Sequence, residues 1–181
     1  MNSYIDYVTN YPIITAMIQF AILGTLGEFV SKWIISKKVY IPFKPLMVLW
    51  KMIEWAILAF FIKYAFVGIK GFLQALVEHN MLPIIASKTG WKPLYAFTIS
   101  VLVNLQFGLF LVIFHRILDN LFLTVKNWAG LDKALFTLIW FWIPAHTVTF
   151  SLPKVYQIGL AALWSVVMGT ILGYFNKRKI D

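Results

Sequence analysis

Charged residues are absent from four long stretches of the chain, each about as long as a membrane-spanning helix. No Asp, Glu, Lys or Arg occurs in residues 7–27, 93–114, 134–153 and 155–176. A fifth stretch, residues 45–69, is as apolar overall but carries Lys51, Glu54 and Lys63. A helix crosses the hydrocarbon of a bilayer in about 20 residues. The pattern therefore predicts an all-α integral membrane helical bundle, a single transmembrane domain over residues 1–181 with spans over residues 11–35, 45–70, 93–115, 134–152 and 154–176.

Two shorter stretches between the spans leave the number of spans open. Residues 71–85 are too few to cross a bilayer and end near Pro83, so they extend the second span or lie at the interface. Over residues 117–130, apolar residues recur at helical spacing opposite polar ones, which is typical of an interfacial helix: Leu118, Leu121, Phe122 and Val125 against Asp119, Asn120 and Lys126. We expect five spans with short interfacial helices, and six spans is the alternative.

The composition excludes a water-soluble globule and a disordered chain. Of the 181 residues, 61% are hydrophobic and 13% are charged, whereas an average soluble domain has about 45–50% apolar and about 25% charged residues. Disorder requires low hydrophobicity, so it is excluded as well. The chain has no Cys, which removes disulfides, thiolate metal sites and cysteine nucleophiles from consideration.

The excess of basic residues fits a membrane surface better than it fits nucleic acid. The net charge is +9, from 16 Lys and Arg against 7 Asp and Glu. Most cations flank the apolar stretches, where they anchor helices and bind anionic lipid headgroups, so we expect lipid and not nucleic acid as the partner. If the N-terminus lies outside, ten cations fall on the side equivalent to the cytoplasm and five fall on the opposite side, in line with the positive-inside rule. The ten include Lys177, Arg178 and Lys179.

Ionisable residues inside the spans are costly in hydrocarbon and mark candidate pore-lining positions. Glu28, near the end of the first span, either faces protein or water or is satisfied at the interface by Lys32, four residues further on. Lys51 and Glu54 are three residues apart on one face of the second span, and Lys63 adds a third charge to it. We expect this span to face a water-filled interior. The alternative is a structural ion pair, with Lys63 extending to the surface.

Polar residues of the third and fourth spans are the remaining candidates. Asn104 and Gln106 lie on different faces of the third span, and we expect interhelical hydrogen bonds from them, with pore lining as the second interpretation. In the fourth span Pro144 removes a backbone hydrogen bond and is expected to kink the helix. Irregular backbone at membrane depth is tolerated only inside protein or along a water-filled cavity. The kink is therefore the best local indication of a functional site, together with the polar residues His146, Thr147 and Thr149, although Thr hydroxyls alone could satisfy it.

His146 is the only histidine that we place inside the membrane. An unperturbed imidazole titrates near physiological pH, so protonation would add a charge beside the Pro144 kink. We expect this charge to alter the conductance of a pore. The alternative is a neutral histidine that forms a hydrogen bond with Thr149 or a backbone carbonyl and never titrates.

Small residues recur at every fourth position of the last span: Ala161, Ser165, Gly169 and Gly173. A shorter series, Gly24, Gly27 and Ser31, occurs in the first span. Such ridges let another helix backbone approach closely in lipid. We expect ordinary packing within the bundle. The alternative is a closely packed pore wall or the seam of a homo-oligomer.

Motifs for catalysis and cofactor binding are missing from the sequence. It contains no Gly-rich phosphate loop, nucleophile elbow, paired metal-ligand spacing or redox motif. His115 and Asp119 lie one helical turn apart, but at a predicted membrane boundary, where such residues are common anchors. We predict that the protein is not an enzyme and uses no cofactor or metal.

Motifs over nearly the full length of the chain resemble one family of membrane proteins. Tyr4 and Pro12 precede Gly27-Glu28-Phe29-Val30-Ser31, similar to a Y-x7-P…G-[DE]-x-x-S-Q motif with Lys32 in place of Gln. Further similar motifs follow in order at residues 66–83, at Asn127-Trp128-Ala129, at residues 134–137 and from Trp142 to Pro153. The chain thus resembles the channel-like family typified by the Mpv-seventeen protein and the 22-kDa peroxisomal membrane protein. It departs from the family at His146, Thr149 and Gln157, where the family has Gln, Asn and Arg.

The resemblance implies a weakly selective channel or pore for small solutes or metabolites. It places the protein in the mitochondrial inner or peroxisomal membrane of a eukaryote, and a bacterial source would place it in the plasma membrane. The alternative is a non-conducting structural or regulatory membrane protein whose basic rim binds anionic lipid or a partner protein.

Overall fold

The computed structural model describes residues 3–123 and 125–177 and is 82% helical, with no strand in those residues. Five of its helices are long and apolar enough to cross a membrane: Pro12–Ser36, Pro45–Glu78, Lys92–Asn120, Leu131–Ser151 and Lys154–Tyr174. The predicted fold class, an all-α helical bundle with about five such helices, is confirmed. Arg178 and Lys179, counted above for the orientation, lie outside the described residues.

Prolines mark the beginnings of the first long helices. A short helix α1 (Ser3–Asn10) precedes α2 (Pro12–Ser36) and α3 (Pro45–Glu78), and both of the longer helices begin with proline. Proline suits a first turn because it has no N–H to leave unbonded there and its φ is already helical. α2 ends at Ser36. The next residue, Lys37, has a φ of 57°, the left-handed conformation that stops helices. α3 runs without a break to Glu78, so residues 71–78 extend the second span.

The third and fourth spans each contain a π-helical segment, in which the backbone hydrogen bonds reach five residues instead of four. The third span consists of α4 (Lys92–Leu102), the first π segment (Val103–Gly108) and α5 (Leu109–Asn120). The fourth consists of α6 (Leu131–Thr137), the second π segment (Leu138–Trp142) and α7 (Ile143–Ser151). The last helix, α8, covers Lys154–Lys177 and follows Pro153.

The interfacial helix predicted over residues 117–130 is wrong. Residues 117–120 end α5, and the described residues from 121 to 130 are not helical; Thr124 lies outside the description. Asn120 explains the difference. Its Oδ1 accepts the Asn127 N–H at 2.8 Å, and its Nδ2 donates to the Asn127 carbonyl at 3.2 Å. Such side-chain bonds to the backbone compete with helical ones, and Gly130 closes the loop with a φ of 74°.

The chain divides into two compact units. The first unit comprises Met1–Phe60 and Ile158–Asp181, and the second comprises Phe61–Gln157. Each unit is described by itself below, and the single transmembrane domain stays a prediction.

In the first unit, the small-residue series of α8 packs against that of α2. A Cβ at Gly169 would collide with the backbone of Gly27, and a Cβ at Gly27 would lie 2.5 Å from the Ser165 carbonyl oxygen. One turn further on, Gly173 meets the backbone of Ser31. These backbones are thus close enough that no larger side chain fits between them. Ala161 is buried on the same ridge, and Gly24 of α2 packs against the ring of Trp55.

In the second unit, α4 packs along α7, and the two π segments lie against each other. Gly108 of the first π segment meets Leu138 of the second: a Cβ at Gly108 would lie 2.8 Å from Leu138 Cδ2. A cluster of rings from α3 and α5 packs beside them, with Phe61 edge-on to Phe110 and Phe114 at centroid distances of 5.8 and 5.4 Å.

Apolar side chains also cover the outside of the helices. Ile14, Ile18 and Ile22 follow one face of α2 at four-residue intervals and are 57%, 53% and 55% exposed. Similar exposed apolar residues lie on α3, for example Leu46, Tyr64 and Val67. Contiguous apolar surface of this extent is unusual in a soluble monomer and fits contact with lipid. It agrees with the part of the localisation that the structure supports, an integral membrane protein.

Gly169→Leu is expected to destabilise the protein, because the new side chain would collide with the α2 backbone at Gly27, which cannot move aside as a side chain could. Overpacking costs about 1–3 kcal/mol, so the melting temperature of the purified protein in detergent should fall by several degrees. The matched control is Leu163→Ile on the same helix, where the side chain is exposed and the change should be near neutral. An unchanged melting temperature for Gly169→Leu would contradict the close approach of α2 and α8.

Candidate functional site

A chain of polar side chains links the third and fourth spans inside the second unit. Asn104 of the first π segment donates from Nδ2 to the Ser100 carbonyl at 2.8 Å and lies 3.1 Å from His146 Nδ1. One turn away, Ser100 Oγ donates to the Ile143 carbonyl at 2.7 Å. Asn104 and Ser100 are buried and His146 is half-buried. The hydrogen bonds therefore join the third span to α7 at two points one helical turn apart.

The contact between Asn104 and His146 suits either neutral form of the imidazole. When Nδ1 carries no proton, it accepts from Asn104 Nδ2 at 3.1 Å, and when Nδ1 is protonated, it donates to Asn104 Oδ1 at 3.3 Å. The pair can thus hold a proton on either ring nitrogen without losing the hydrogen bond between the two helices.

Aromatic rings enclose the imidazole of His146. Trp142 and Phe66 lie at centroid distances of 5.2 and 5.5 Å, and Phe150 lies at 6.0 Å. Within the described part of this unit, no carboxylate forms an ion pair with His146. In the part of the chain that the structure describes, its hydrogen-bond partner is the Asn104 amide of the neighbouring span. That its protonation acts as a switch stays a prediction.

The second π segment adjoins Pro144. Proline has no N–H for the carbonyl four residues earlier, and its ring crowds that carbonyl. The carbonyl that Pro144 leaves without a donor is that of Trp140. This residue lies in the π segment, where the helix is already wider than an α-helix. In the next turn, the Ile143 carbonyl accepts two side-chain hydrogen bonds, one from Thr147 Oγ1 at 2.7 Å and one from Ser100 Oγ.

Of the other polar candidates of these spans, Thr147 shares an acceptor with Ser100, the Ile143 carbonyl. Thr147 and Thr149 both bond back to α7, and Thr149 Oγ1 donates to the Ala145 carbonyl at 3.0 Å. Gln106 is exposed, whereas Asn104 is buried, so the two lie on different faces of the helix. Of the two, only Asn104 forms an interhelical hydrogen bond. His115 and Asp119 are half-buried, one turn apart on α5.

The first unit contains a separate cluster of charged side chains. Lys51 Nζ lies 3.1 Å from Glu54 Oε2 and 3.3 Å from Glu28 Oε2, and Trp55 Nε1 donates to Glu28 Oε1 at 2.9 Å. The Glu54 side chain is 0% exposed, that of Lys51 is 9% exposed and that of Glu28 is 23% exposed. Glu28 thus pairs with α3 and not with Lys32 on its own helix.

Lys63 does not belong to this charged cluster. It is half-buried in the second unit, two turns before Lys70 on α3. Lys70 Nζ donates to Gln157 Oε1 at 2.7 Å and lies 5.4 Å from the centroid of the Phe150 ring. That Lys63 lines one path together with Lys51 and Glu54 stays a prediction.

Several residues of these sites were not identified from the sequence: Ser100, Phe66, Lys70 and Gln157. Two of them carried a signal in their spacing. Ser100 lies four residues before Asn104, and Lys70 lies seven residues after Lys63, so each pair shares a helix face. The partners of Phe66 and Gln157 come from helices distant in the sequence, and no local pattern predicts such contacts.

Asn104→Ala is expected to lower the melting temperature, because it leaves His146 Nδ1 without its partner on the third span. An unsatisfied buried polar group costs about 1–3 kcal/mol. Gln106→Ala, two residues further on, is the matched control, since that side chain is exposed and should contribute within about 0.5 kcal/mol. Equal melting temperatures for the two variants, measured in the same detergent, would show that the link between the spans contributes nothing.

No family model matches the chain, and no curated protein or solved structure matches it either.

Proposed function

We propose that the protein is a weakly selective membrane channel for small solutes, and that its path follows the seam between the third and fourth spans in the second unit. The observation that carries the proposal is the hydrogen-bonded chain of Ser100, Asn104 and His146 within helices that are otherwise apolar. Polar residues inside membrane spans are costly and tend to mark the routes of solutes and ions.

The backbone at the seam supports the same proposal. Two π segments lie side by side there, and one of them adjoins Pro144. π segments are often found at functional sites, and irregular backbone in a membrane is tolerated where it is enclosed by protein or borders water. A seam with loosened helical hydrogen bonds requires less rearrangement to part than one between two regular helices.

The competing proposal is a non-conducting structural or regulatory membrane protein whose basic rim binds anionic lipid or a partner protein. The observation that favours it is that the polar groups of the seam bond to one another: Asn104 to Ser100 and His146, and Ser100 to Ile143. A polar seam closed in this way also serves to hold two helices in one register.

Membership of the Mpv-seventeen family, as a divergent member, is also a proposal, and it is supported by the motif residues of the first span. Gly27 and Ser31 are the residues at which α2 meets α8, and Glu28 between them pairs with Lys51. We propose the corresponding location: the mitochondrial inner or peroxisomal membrane in a eukaryote, and the plasma membrane in a bacterium.

Cysteine labelling distinguishes the two functions, because the chain has no native Cys. If the seam carries solute, Cys introduced at 100, 104 or 146 should react with a charged, membrane-impermeant thiol reagent in proteoliposomes, since a thiolate forms only where water reaches it. Cys at 51 and 54 tests the charged cluster of the first unit in the same way.

Val148→Cys is the matched control for position 146, because Val148 lies on the same helix with its side chain exposed on the outside. It should stay unreacted in lipid, and Lys88→Cys in an exposed turn should react fully. Protection at positions 100, 104 and 146 together with full reaction at position 88 would contradict the channel and favour the structural protein.

His146→Gln tests whether the imidazole regulates conduction. Glutamine keeps a donor and an acceptor for Asn104, so the variant should fold and conduct. If His146 gains a charge between pH 5 and 8, as an unperturbed imidazole does, the conductance of the wild type in planar bilayers should change over this range more than that of the variant, which keeps the other two histidines. The same pH response in both proteins would contradict a regulatory role of His146 and would indicate that its imidazole serves packing only.

A further inference from the structure

Lys70 on α3 is a half-buried cation whose described neighbours are neutral or positive. Its Nζ donates to Gln157 Oε1 at 2.7 Å and faces the ring of Phe150, whose centroid is 5.4 Å away. Gln157 and Phe150 are both buried. The amide of Gln157 is held in place because its Nε2 donates to the Leu152 carbonyl at 2.8 Å. One side of the ammonium is thus fixed by a rigid amide and a ring.

The charges that act on Lys70 are also positive. Lys63 lies two turns earlier on the same face of α3, and Lys154 lies one turn before Gln157 on α8, the residue that bonds Lys70. In the described part of the second unit, no carboxylate forms an ion pair with any of the three lysines. Glu78, the nearest acidic residue along α3, accepts a hydrogen bond from Gln74.

Three ammonium groups without a counter-charge are unfavourable when one of them is partly removed from water. The arrangement contrasts with Lys51 of the first unit, which is enclosed by two carboxylates. A ligand that supplied negative charge to Lys70 would relieve the repulsion. The N-terminal end of α8, at Lys154, adds a partial positive charge of the same sign.

We propose that Lys63, Lys70 and Lys154 form a binding site for a phosphate group, which the fixed amide of Gln157 helps to position by holding Lys70. Phosphate fits better than a carboxylate because it carries more negative charge and has more acceptor oxygens for several ammonium groups. Lysine binds phosphate as a point charge and imposes no bidentate geometry. The phosphate belongs either to a soluble anion or to a lipid headgroup, and the two sources share the chemistry of the site.

The test measures the melting temperature of the purified full-length chain. In detergent, inorganic phosphate is titrated against chloride at equal ionic strength. In nanodiscs, phosphatidylcholine alone is compared with phosphatidylcholine containing phosphatidylglycerol. A ligand that binds the folded state at ten times its dissociation constant should raise the melting temperature by about 3–5 °C.

Lys70→Gln should raise the half-saturating ligand concentration at least about tenfold, as expected for the loss of a charge-assisted hydrogen bond. Lys154→Gln should also weaken binding, and because Lys154 is exposed this second variant covers the case in which Lys70→Gln does not fold. Lys70→Arg keeps the charge and should retain the response. Lys88→Gln removes an exposed lysine outside the cluster and is the control for net charge.

A response to inorganic phosphate that depends on Lys70 or Lys154 supports a site for a soluble anion. A response to phosphatidylglycerol without a response to inorganic phosphate, again dependent on Lys70 or Lys154, supports a site for a lipid headgroup. Responses that are absent, or equal in the Lys88→Gln and cluster variants, overturn the proposal. The assay measures binding without transport, so a failure of the proposed channel leaves this result unaffected.

Discussion

Each polar side chain inside an apolar helix must find its partner within the protein, because hydrocarbon offers none. The chain meets this constraint in two ways. In the first unit, Lys51 lies between Glu28 and Glu54, and the charges compensate one another. In the second unit, Asn104 and His146 form a neutral pair, and the surrounding groups are the Ser100 hydroxyl and aromatic rings. Which helices lie together in each unit follows from these pairings as much as from apolar packing.

The backbone is subject to the same constraint. Pro144 deprives one carbonyl of its hydrogen bond, and the helix accommodates the loss by widening into a π segment immediately before it. The Ile143 carbonyl is then bonded from two sides, by Thr147 of its own helix and by Ser100 of the neighbouring span.

Most of the fold could be predicted from the sequence, because a span is defined by a length of apolar residues between charges or prolines. The beginnings of the second and third spans were predicted to within a residue, at Pro45 and Lys92. The end of the second span was less predictable, because a helix continues into water until a breaker stops it, and α3 continues to Glu78. The helix predicted over residues 117–130 failed because apolar periodicity does not register the competing bonds of Asn120 to the backbone.

The sites were predictable as a set of residues but not as a set of contacts. Spacing along one helix suggested Lys32 as the partner of Glu28, whereas the ion pair is made with Lys51 of the next span. Nor did the spacing single out Lys70, which is half-buried and contacts Gln157 and Phe150 of later helices. Contacts between spans depend on the register in which helices pack. That register is set here by small residues and π segments, whose effect is visible only once the helices are together.

The difference between charged and neutral pairing bears on which part of the protein can move. Removing a partner from a buried ion pair costs about 3–5 kcal/mol, whereas a broken neutral hydrogen bond costs about 1–3 kcal/mol. A conformation a few kcal/mol above the ground state is populated at about 0.1–10%. Parting Asn104 from His146 falls within this range, and parting Lys51 from its two carboxylates largely does not. If the protein conducts, as we propose, the conducting state is therefore expected to arise at the neutral seam of the second unit, with the charged cluster of the first unit kept intact.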